Sequence, residues 1–188
     1  MNNLINDTKF LTLGGGCFWC TEAIFQEVNG VVNVTSGYSG GTTDDCPSYQ
    51  TICKGMTGHA EVIQIEYEPE IVSLEELLII FMTTHNPTSL NQQGADKGTQ
   101  YRSIIFYETQ REKVIIDTVI KELQPYFEKA IVTEIKPFNR FFKAEDRHQQ
   151  YYQLNKQFGY CTAIIEPKLV KFRKQYAEKL KKSASTTL

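Results

Sequence analysis

The chain alternates between short apolar blocks and polar, glycine-bearing stretches, and the period of the apolar positions changes from block to block. Residues 10–13 form an apolar run that stops at Gly14-Gly15-Gly16. From Cys17 onward, Phe18, Ala23 or Ile24, Phe25 and Val28 recur at helical spacing, and Gly30 suits a helix stop. The opening unit is therefore strand, glycine turn, helix. Residues 31–38 read as a second strand. Residues 39–58 are rich in Gly, Thr, Asp, Ser and Pro and read as a long loop, a kind of segment that often carries function inside a compact domain. Across residues 59–67 the period drops to two. His59, Glu61, Ile63, Ile65 and Tyr67 share one face of this strand, and Ala60, Val62, Gln64 and Glu66 share the other.

Ser73, with Glu76 three positions on, has the pattern of a capping box. It starts a helix with the apolar stripe Leu77, Leu78 and Phe81, and Pro87 marks its end region. Residues 86–99 read as a polar loop and 101–107 as a strand. Thr109 with Glu112 repeats the capping pattern and opens a helix to about residue 129, which Pro125 should kink or end. A strand over 131–135 and a helix over 144–156 follow. Glu166-Pro167 opens a last amphipathic helix carrying Leu169, Phe172, Tyr176 and Leu180, with proline at the first helical position. Residues 1–9 and 183–188 are expected to be disordered ends of one domain spanning 1–188. Strands interleaved with helices predict an α+β fold, a mixed sheet with helices packed on it.

A chain of 188 residues can bury one real core. Its formal net charge of -2 offers no basic field for nucleic acid or an anionic membrane. No apolar run approaches the length of a transmembrane helix, and the polar start lacks the apolar stretch of a secretory signal. There are five cysteines: Cys17, Cys20, Cys46, Cys53 and Cys161. An odd number without an export signal argues against a structural disulfide framework. Catalytic, redox or metal-binding thiols in a reducing, cytoplasmic setting are the expectation.

Cys17 sits where three glycines hand over to a helix. Free N–H groups and the dipole at a helix start favour a thiolate, and glycines leave room for a ligand beside the sulfur. The alternative is a buried core cysteine. Phe18 and Trp19 either pack in the core or line a pocket for a small apolar group. Glu61 lies on the mostly apolar face of its strand. If that face is buried, desolvation keeps the carboxyl protonated as a proton donor; if not, it is a solvated residue at the sheet rim. His59 has the same parity and is read as structural. Cys161 follows Gly159 in a segment read as mobile, so it is either an isolated surface cysteine or a second thiol able to attack an oxidised Cys17. Cys17 and Cys20 have the two-residue gap of thioredoxin-type redox pairs, which offers a rival activity as a disulfide oxidoreductase. They are also half of a zinc knuckle, but Cys46 and Cys53 are separated by six residues, so no metal is expected.

Several segments together resemble peptide methionine sulfoxide reductase A: Gly15-Gly16-Cys17-Phe18-Trp19, Ser36-Gly37-Tyr38-Ser39-Gly40-Gly41, Thr57-Gly58-His59-Ala60-Glu61-Val62 and Gly98-Thr99-Gln100-Tyr101-Arg102-Ser103. Ala144-Glu145-Asp146 with His148-Gln149-Gln150-Tyr151, then Gly159-Tyr160-Cys161, complete the series in order. The resemblance implies a two-layer α/β sandwich of ferredoxin-like plan. It implies reduction of methionine-S-sulfoxide, free or in proteins, with no metal or organic cofactor. Cys17 would attack the sulfoxide sulfur and become a sulfenic acid. Phe18 and Trp19 would hold the S-methyl group, and Glu61 would give a proton to the oxygen, helped by Tyr49 and Tyr101. Asp96 would orient the substrate and the site. Cys161 would close a disulfide with Cys17, and thioredoxin would reduce it. Many members carry glycine where this chain has Cys20, and a glycine-rich tail with a cysteine pair where this chain continues as a helix. Cys20 is therefore the alternative resolving thiol. Cys46 has no clear role, and Cys53 is read as structural.

Overall fold

The computed structural model describes residues 7–42 and 47–182. Strand β1 (Lys9–Gly14) lies in the middle of a mixed six-stranded sheet. It is followed by helix α1 (Phe18–Phe25) and by β2 (Val31–Ser39). A short helix α2 (Tyr49–Cys53) precedes β3 (Ala60–Tyr67), and α3 (Leu74–Thr84) follows. A small hairpin, β4 (Gln92–Gln93) and β5 (Asp96–Lys97), leads to β6 (Ile104–Tyr107) and α4 (Gln110–Leu123). The chain ends with β7 (Glu134–Pro137), β8 (Phe141–Lys143), α5 (Tyr151–Leu154) and α6 (Glu166–Gln175). The strand order is β7-β6-β1-β3-β2-β8, antiparallel throughout except for the parallel β6–β7 pair. The central order β6-β1-β3-β2, with helices after β1 and β3, is the plan of a ferredoxin-like β-α-β-β-α-β unit.

The period of two along β3 explains the layering. Glu61, Ile63, Ile65 and Tyr67 face the helices, where Leu11, Leu13 and Ile105 meet Phe18, Phe25, Leu77, Phe81, Ile116 and Phe172 in one buried cluster. The opposite face holds a smaller cluster of Ala60, Val62, Ile104 and Phe106, with Phe138 and Phe141 packed on it. Both capping boxes form: Ser73 with Glu76 on α3, and Thr109 with Glu112 on α4. Pro125 ends α4 by turning the chain into a short 3-10 segment.

Several expectations change. Lys9 is not part of a disordered lead-in but already pairs with Tyr67. The long loop contains α2, because Ser48 caps it by accepting the Thr51 N–H. Tyr101 belongs to a 3-10 turn (Thr99–Tyr101) rather than to the strand. The strand expected over 131–135 sits later, as β7, where it pairs with β6. The helix expected over 144–156 breaks into a 3-10 turn (Asp146–His148) and the four-residue α5, with Gln150 between them at φ 51. Cys161 is not on a mobile arm. It is fully buried in a π-helical turn (Cys161–Ile165) that runs straight into α6.

Gly14 lets β1 approach the strand that carries Glu61. A Cβ there would stand 2.5 Å from the Glu61 carbonyl oxygen and 3.1 Å from Val62. We expect Gly14→Ala to lower unfolding free energy by about 1–3 kcal/mol, the usual range for overpacking. Chemical denaturation measures it, and a midpoint equal to the wild type would show that the two strands can part without cost.

Candidate active site

The glycine turn ends at Cys17, the N-cap of α1. Gly16 makes the last bend at φ +94, with the Gln93 side chain against it. Phe18 opens the helix, and its N–H donates to Glu61 Oε2 at 3.1 Å. A carboxyl on the central strand thus caps the helix that carries the nucleophile candidate. Glu61 is 1% exposed. Burial is the main cause that pushes its pKa up to about 8; the Phe18 N–H pulls the other way, and the charges of Asp96 and Cys20 add to the rise. At neutral pH the group is a carboxylic acid. The Phe18 N–H holds one oxygen as an acceptor, which leaves the other free to carry the proton.

Cys17 and Cys20 sit three residues apart at the start of α1, and the ionisation of each thiol bears on the other's. The Cys20 N–H also donates to the Cys17 carbonyl at 3.1 Å. Burial, and the charge each sulfur would impose on the other, separate their ionisations. Cys20 is drawn down to about 6, first by the hydrogen bond from Cys17 and then by the Lys168 ammonium and the Tyr160 hydroxyl. Cys17 is pushed well above the ordinary thiol range by burial, by its bond to Cys20 and by the charges of Glu61 and Cys20. This corrects the expectation of a Cys17 thiolate held by free helix N–H groups. The Cys17 side chain makes no cap bond, and the Phe18 N–H is taken by Glu61.

An aromatic wall stands beside the pair. Trp19 stacks on Tyr151 with centroids 3.7 Å apart and planes 7° from parallel. Its Nε1–H donates to His148 Nδ1 at 3.2 Å, so His148 carries its proton on Nε2. Burial lowers the His148 pKa and keeps the ring neutral. Phe18 and Tyr49 also touch this ring, at centroid distances of 5.3 and 4.5 Å. Two carboxylates tie the wall to the loops. Glu145 accepts from the Tyr49 N–H and the Tyr38 hydroxyl, each at 3.0 Å. Glu22, fully buried on α1, accepts from the Gln150 and Tyr151 N–H groups at 2.8 and 3.1 Å.

The remaining predicted residues converge on the same place. The Glu61 charge is felt at both Tyr49 and Tyr101, the Cys17 charge at Tyr101, and the Asp96 charge at Glu61 and Tyr101. The Tyr160 hydroxyl reaches Cys17, Cys20 at 3.8 Å, and Asp96, which makes it a node of the cluster. Cys161 lies behind this group and interacts with Cys20. Cys53 is exposed and not part of the core. Cys46 lies outside the described residues. His59 faces away from Glu61: its Nδ1 accepts from the Gly41 N–H at 3.0 Å, and its ring meets Phe142 edge-on. It lines a larger cleft, of about 640 Å³, with Arg102, Glu134 and Arg140, and none of the residues gathered around Cys17 borders that cleft.

Glu22, Glu145, His148, Tyr151, Tyr160 and Lys168 are site residues to which sequence reasoning gave no role. Five of them fall in or beside the motifs quoted above, and a dense run of aromatic and titratable residues over 145–152 was the available signal. Among the described residues no group of three or more His, Cys, Asp or Glu side chains could hold a metal ion, and no helix is long and apolar enough to cross a membrane.

A dithiol at a helix start, next to a neutral buried acid and an aromatic wall, defines a thiol oxidoreductase. The sequence profile of the peptide methionine sulfoxide reductase family matches residues 9–181, and the chain belongs to that family. It reduces methionine sulfoxide to methionine. The peptide methionine sulfoxide reductase MsrA of Saccharolobus solfataricus is 48% identical over 170 residues, which cover 90% of this chain and 96% of that one. Mxr1 from Saccharomyces cerevisiae in its reduced form superposes with a TM-score of 0.75 at 36% identity, covering 82% of this chain and 89% of that one. Mxr1 has also been solved in complex with Trx2, a fold match with a TM-score of 0.55 at 24% identity over 80% of this chain and 89% of that one.

The raised Glu61 pKa has a consequence for stability. Between 4.5 and about 8 the folded state holds a proton that the unfolded chain releases, so this group's contribution to stability falls as pH rises through that window. Urea unfolding across the window should show the wild type losing stability relative to Glu61→Gln. Parallel curves would mean that Glu61 ionises like a surface carboxyl.

Proposed function

We propose that Cys17 attacks the sulfur of methionine-S-sulfoxide, free or within a protein, while Glu61 protonates the oxygen. The single observation that carries this is the neutral Glu61, held by the Phe18 N–H at 3.1 Å on the helix turn that presents Cys17. A sulfoxide oxygen is a poor leaving group, and a positioned acid removes that obstacle. Phe18 and Trp19 hold the S-methyl group, and the Tyr49 and Tyr101 hydroxyls donate to the oxygen. Asp96 keeps the substrate backbone and Tyr160 in place. As the sulfoxide docks, the Cys17 proton passes to the neighbouring Cys20, and the negative charge moves to the attacking sulfur. The protonated oxygen leaves as water, a water then attacks Cys17 Sγ, the bond between the two sulfurs breaks, and methionine departs with Cys17 left as a sulfenic acid.

Cys20 then closes the disulfide. Its N–H bonds the Cys17 carbonyl on the same turn, whereas Cys161 is fully buried in a separate helical turn. Because Cys17 is the N-cap and not a helical residue, the pair escapes the poor disulfide geometry of two cysteines within one helix. Thioredoxin, the kind of partner with which Mxr1 has been solved, reduces the product disulfide. Free thiols of this kind fit the cytoplasm.

Glu61→Gln should slow sulfenic-acid formation by ~10²–10⁴-fold in single-turnover kinetics while leaving the fold intact. Unchanged kinetics would remove Glu61 from the chemistry. One stoichiometric exposure to a methionine sulfoxide peptide without reductant should give one methionine and one Cys17–Cys20 disulfide by peptide mapping. A Cys17–Cys161 product would reassign the resolving thiol.

A further inference from the structure

Two residues beyond Cys20, helix α1 carries a carboxylate that none of the chemistry above uses. Glu22 is fully buried. Burying such a group is costly unless it is paired. No Lys, Arg or His side chain among the described residues lies within ion-pair distance of it. Its partners are two consecutive backbone N–H groups from far along the chain: Oε1 accepts from Gln150 at 2.8 Å and Oε2 from Tyr151 at 3.1 Å.

The turn that Glu22 grips needs outside support. Gln150 stands at φ 51 and ψ 34, in the left-handed region that a residue with a Cβ enters only at a cost. The helix it opens, α5, has four residues and no side-chain cap from Gln150, too short to form on local bonds alone. Just before it, Gln149 is fixed to β2: its side chain accepts from the Ser36 N–H at 3.0 Å and donates to the Ser36 and Ala144 carbonyls, each at 2.9 Å. The segment is thus pinned to the sheet by Gln149 and to α1 by Glu22. What the two pins hold is the aromatic wall, where His148 takes the Trp19 indole N–H and the Tyr151 ring stacks on its face. Trp19 and Glu22 lie three residues apart on α1, so one helix carries both the indole and the clamp that brings Tyr151 down on it.

We propose that Glu22 is a positioning residue for substrate binding: by holding the Gln150–Tyr151 turn it sets Tyr151 on Trp19 and so fixes the wall against which the S-methyl group packs. The proposal rests on the reductase reading above. It gives Glu22 no contact with substrate and no proton to transfer. Binding that is equal in the ground and transition states shows in the half-saturating concentration and not in the limiting rate. An apolar residue in place of Glu22 would fill the core as well, but would leave two N–H groups without acceptors. Packing and positioning therefore make opposite predictions.

The test uses the full chain, reduced and without recycling reductant, and counts methionine formed in a single turnover across a range of methionine sulfoxide peptide concentrations. Amide exchange followed by NMR should show the Gln150 and Tyr151 N–H groups protected in the wild type. Glu22→Gln, which keeps one acceptor oxygen, should raise the half-saturating concentration about tenfold, the effect of one hydrogen bond to a charged group, and speed exchange at these amides. The limiting rate should stay within about twofold of the wild type. Glu22→Met should raise the half-saturating concentration further. Adding Gln150→Gly to Glu22→Gln should recover much of the loss, because glycine takes the left-handed turn without steric cost. Fast exchange at both amides in the wild type overturns the clamp without any variant being made. An unchanged half-saturating concentration, a loss confined to the limiting rate, a Glu22→Met protein that saturates as the wild type does, or a loss that Gln150→Gly leaves untouched overturns the role of Glu22 and leaves the reductase reading standing. A wild type that forms no methionine sinks that reading itself.

Discussion

One hydrogen bond organises this molecule: the backbone N–H of Phe18 to the carboxyl of Glu61. It joins the central strand to the start of the helix that presents the thiols. It forms because the strand face carrying Ile63 and Ile65 is buried, so a carboxyl two residues earlier is buried too. A charged group there would be costly, and the protein meets that cost by keeping the acid neutral and its acceptor oxygen occupied. The same bond sets the direction of α1, and with it the places of Cys17, Phe18 and Trp19. Gly14 and Gly16 make the approach possible, one by close strand contact and the other by a left-handed bend.

The electrostatics of the site are mutually consistent. Burial keeps Glu61 protonated, and negative charge on Asp96 or Cys20 adds to that effect. Burial raises Tyr49 and Tyr101, so their hydroxyls stay donors. Removing one proton anywhere in this cluster makes the others harder to remove. In the proposed reaction a sulfoxide would meet these donors on its oxygen side and the thiols on its sulfur side, with the donors held in place beforehand.

Features dictated by near neighbours in the chain were legible from sequence. The strand–glycine–helix opening, both capping boxes, the end of α4 at Pro125 and the buried parity of Glu61 all follow from spacing within a few residues. Features made by distant partners were not. Glu22 is an ordinary helical glutamate until Gln150 and Tyr151 fold against it, and β8 exists only because β2 offers an edge. Cys161 was misread from the glycine before it. The stripe Cys161, Ile165, Leu169 and Phe172 has helical spacing and is wholly buried, and it held the better signal. Tyr49, Tyr101 and Asp96 were pointed to by the resemblance alone, because no local rule brings together residues so far apart in the chain.

Trp19 is the only tryptophan in the chain, and it lies within the reacting groups, stacked on Tyr151 and bonded to His148. Indole emission depends on nearby charge, on ring contacts and on exposure to water. The protein therefore carries its own optical gauge: contacts made at the aromatic wall, movement of the segment held by Glu22, and the oxidation level of the sulfurs all register at one chromophore, with no label to disturb them.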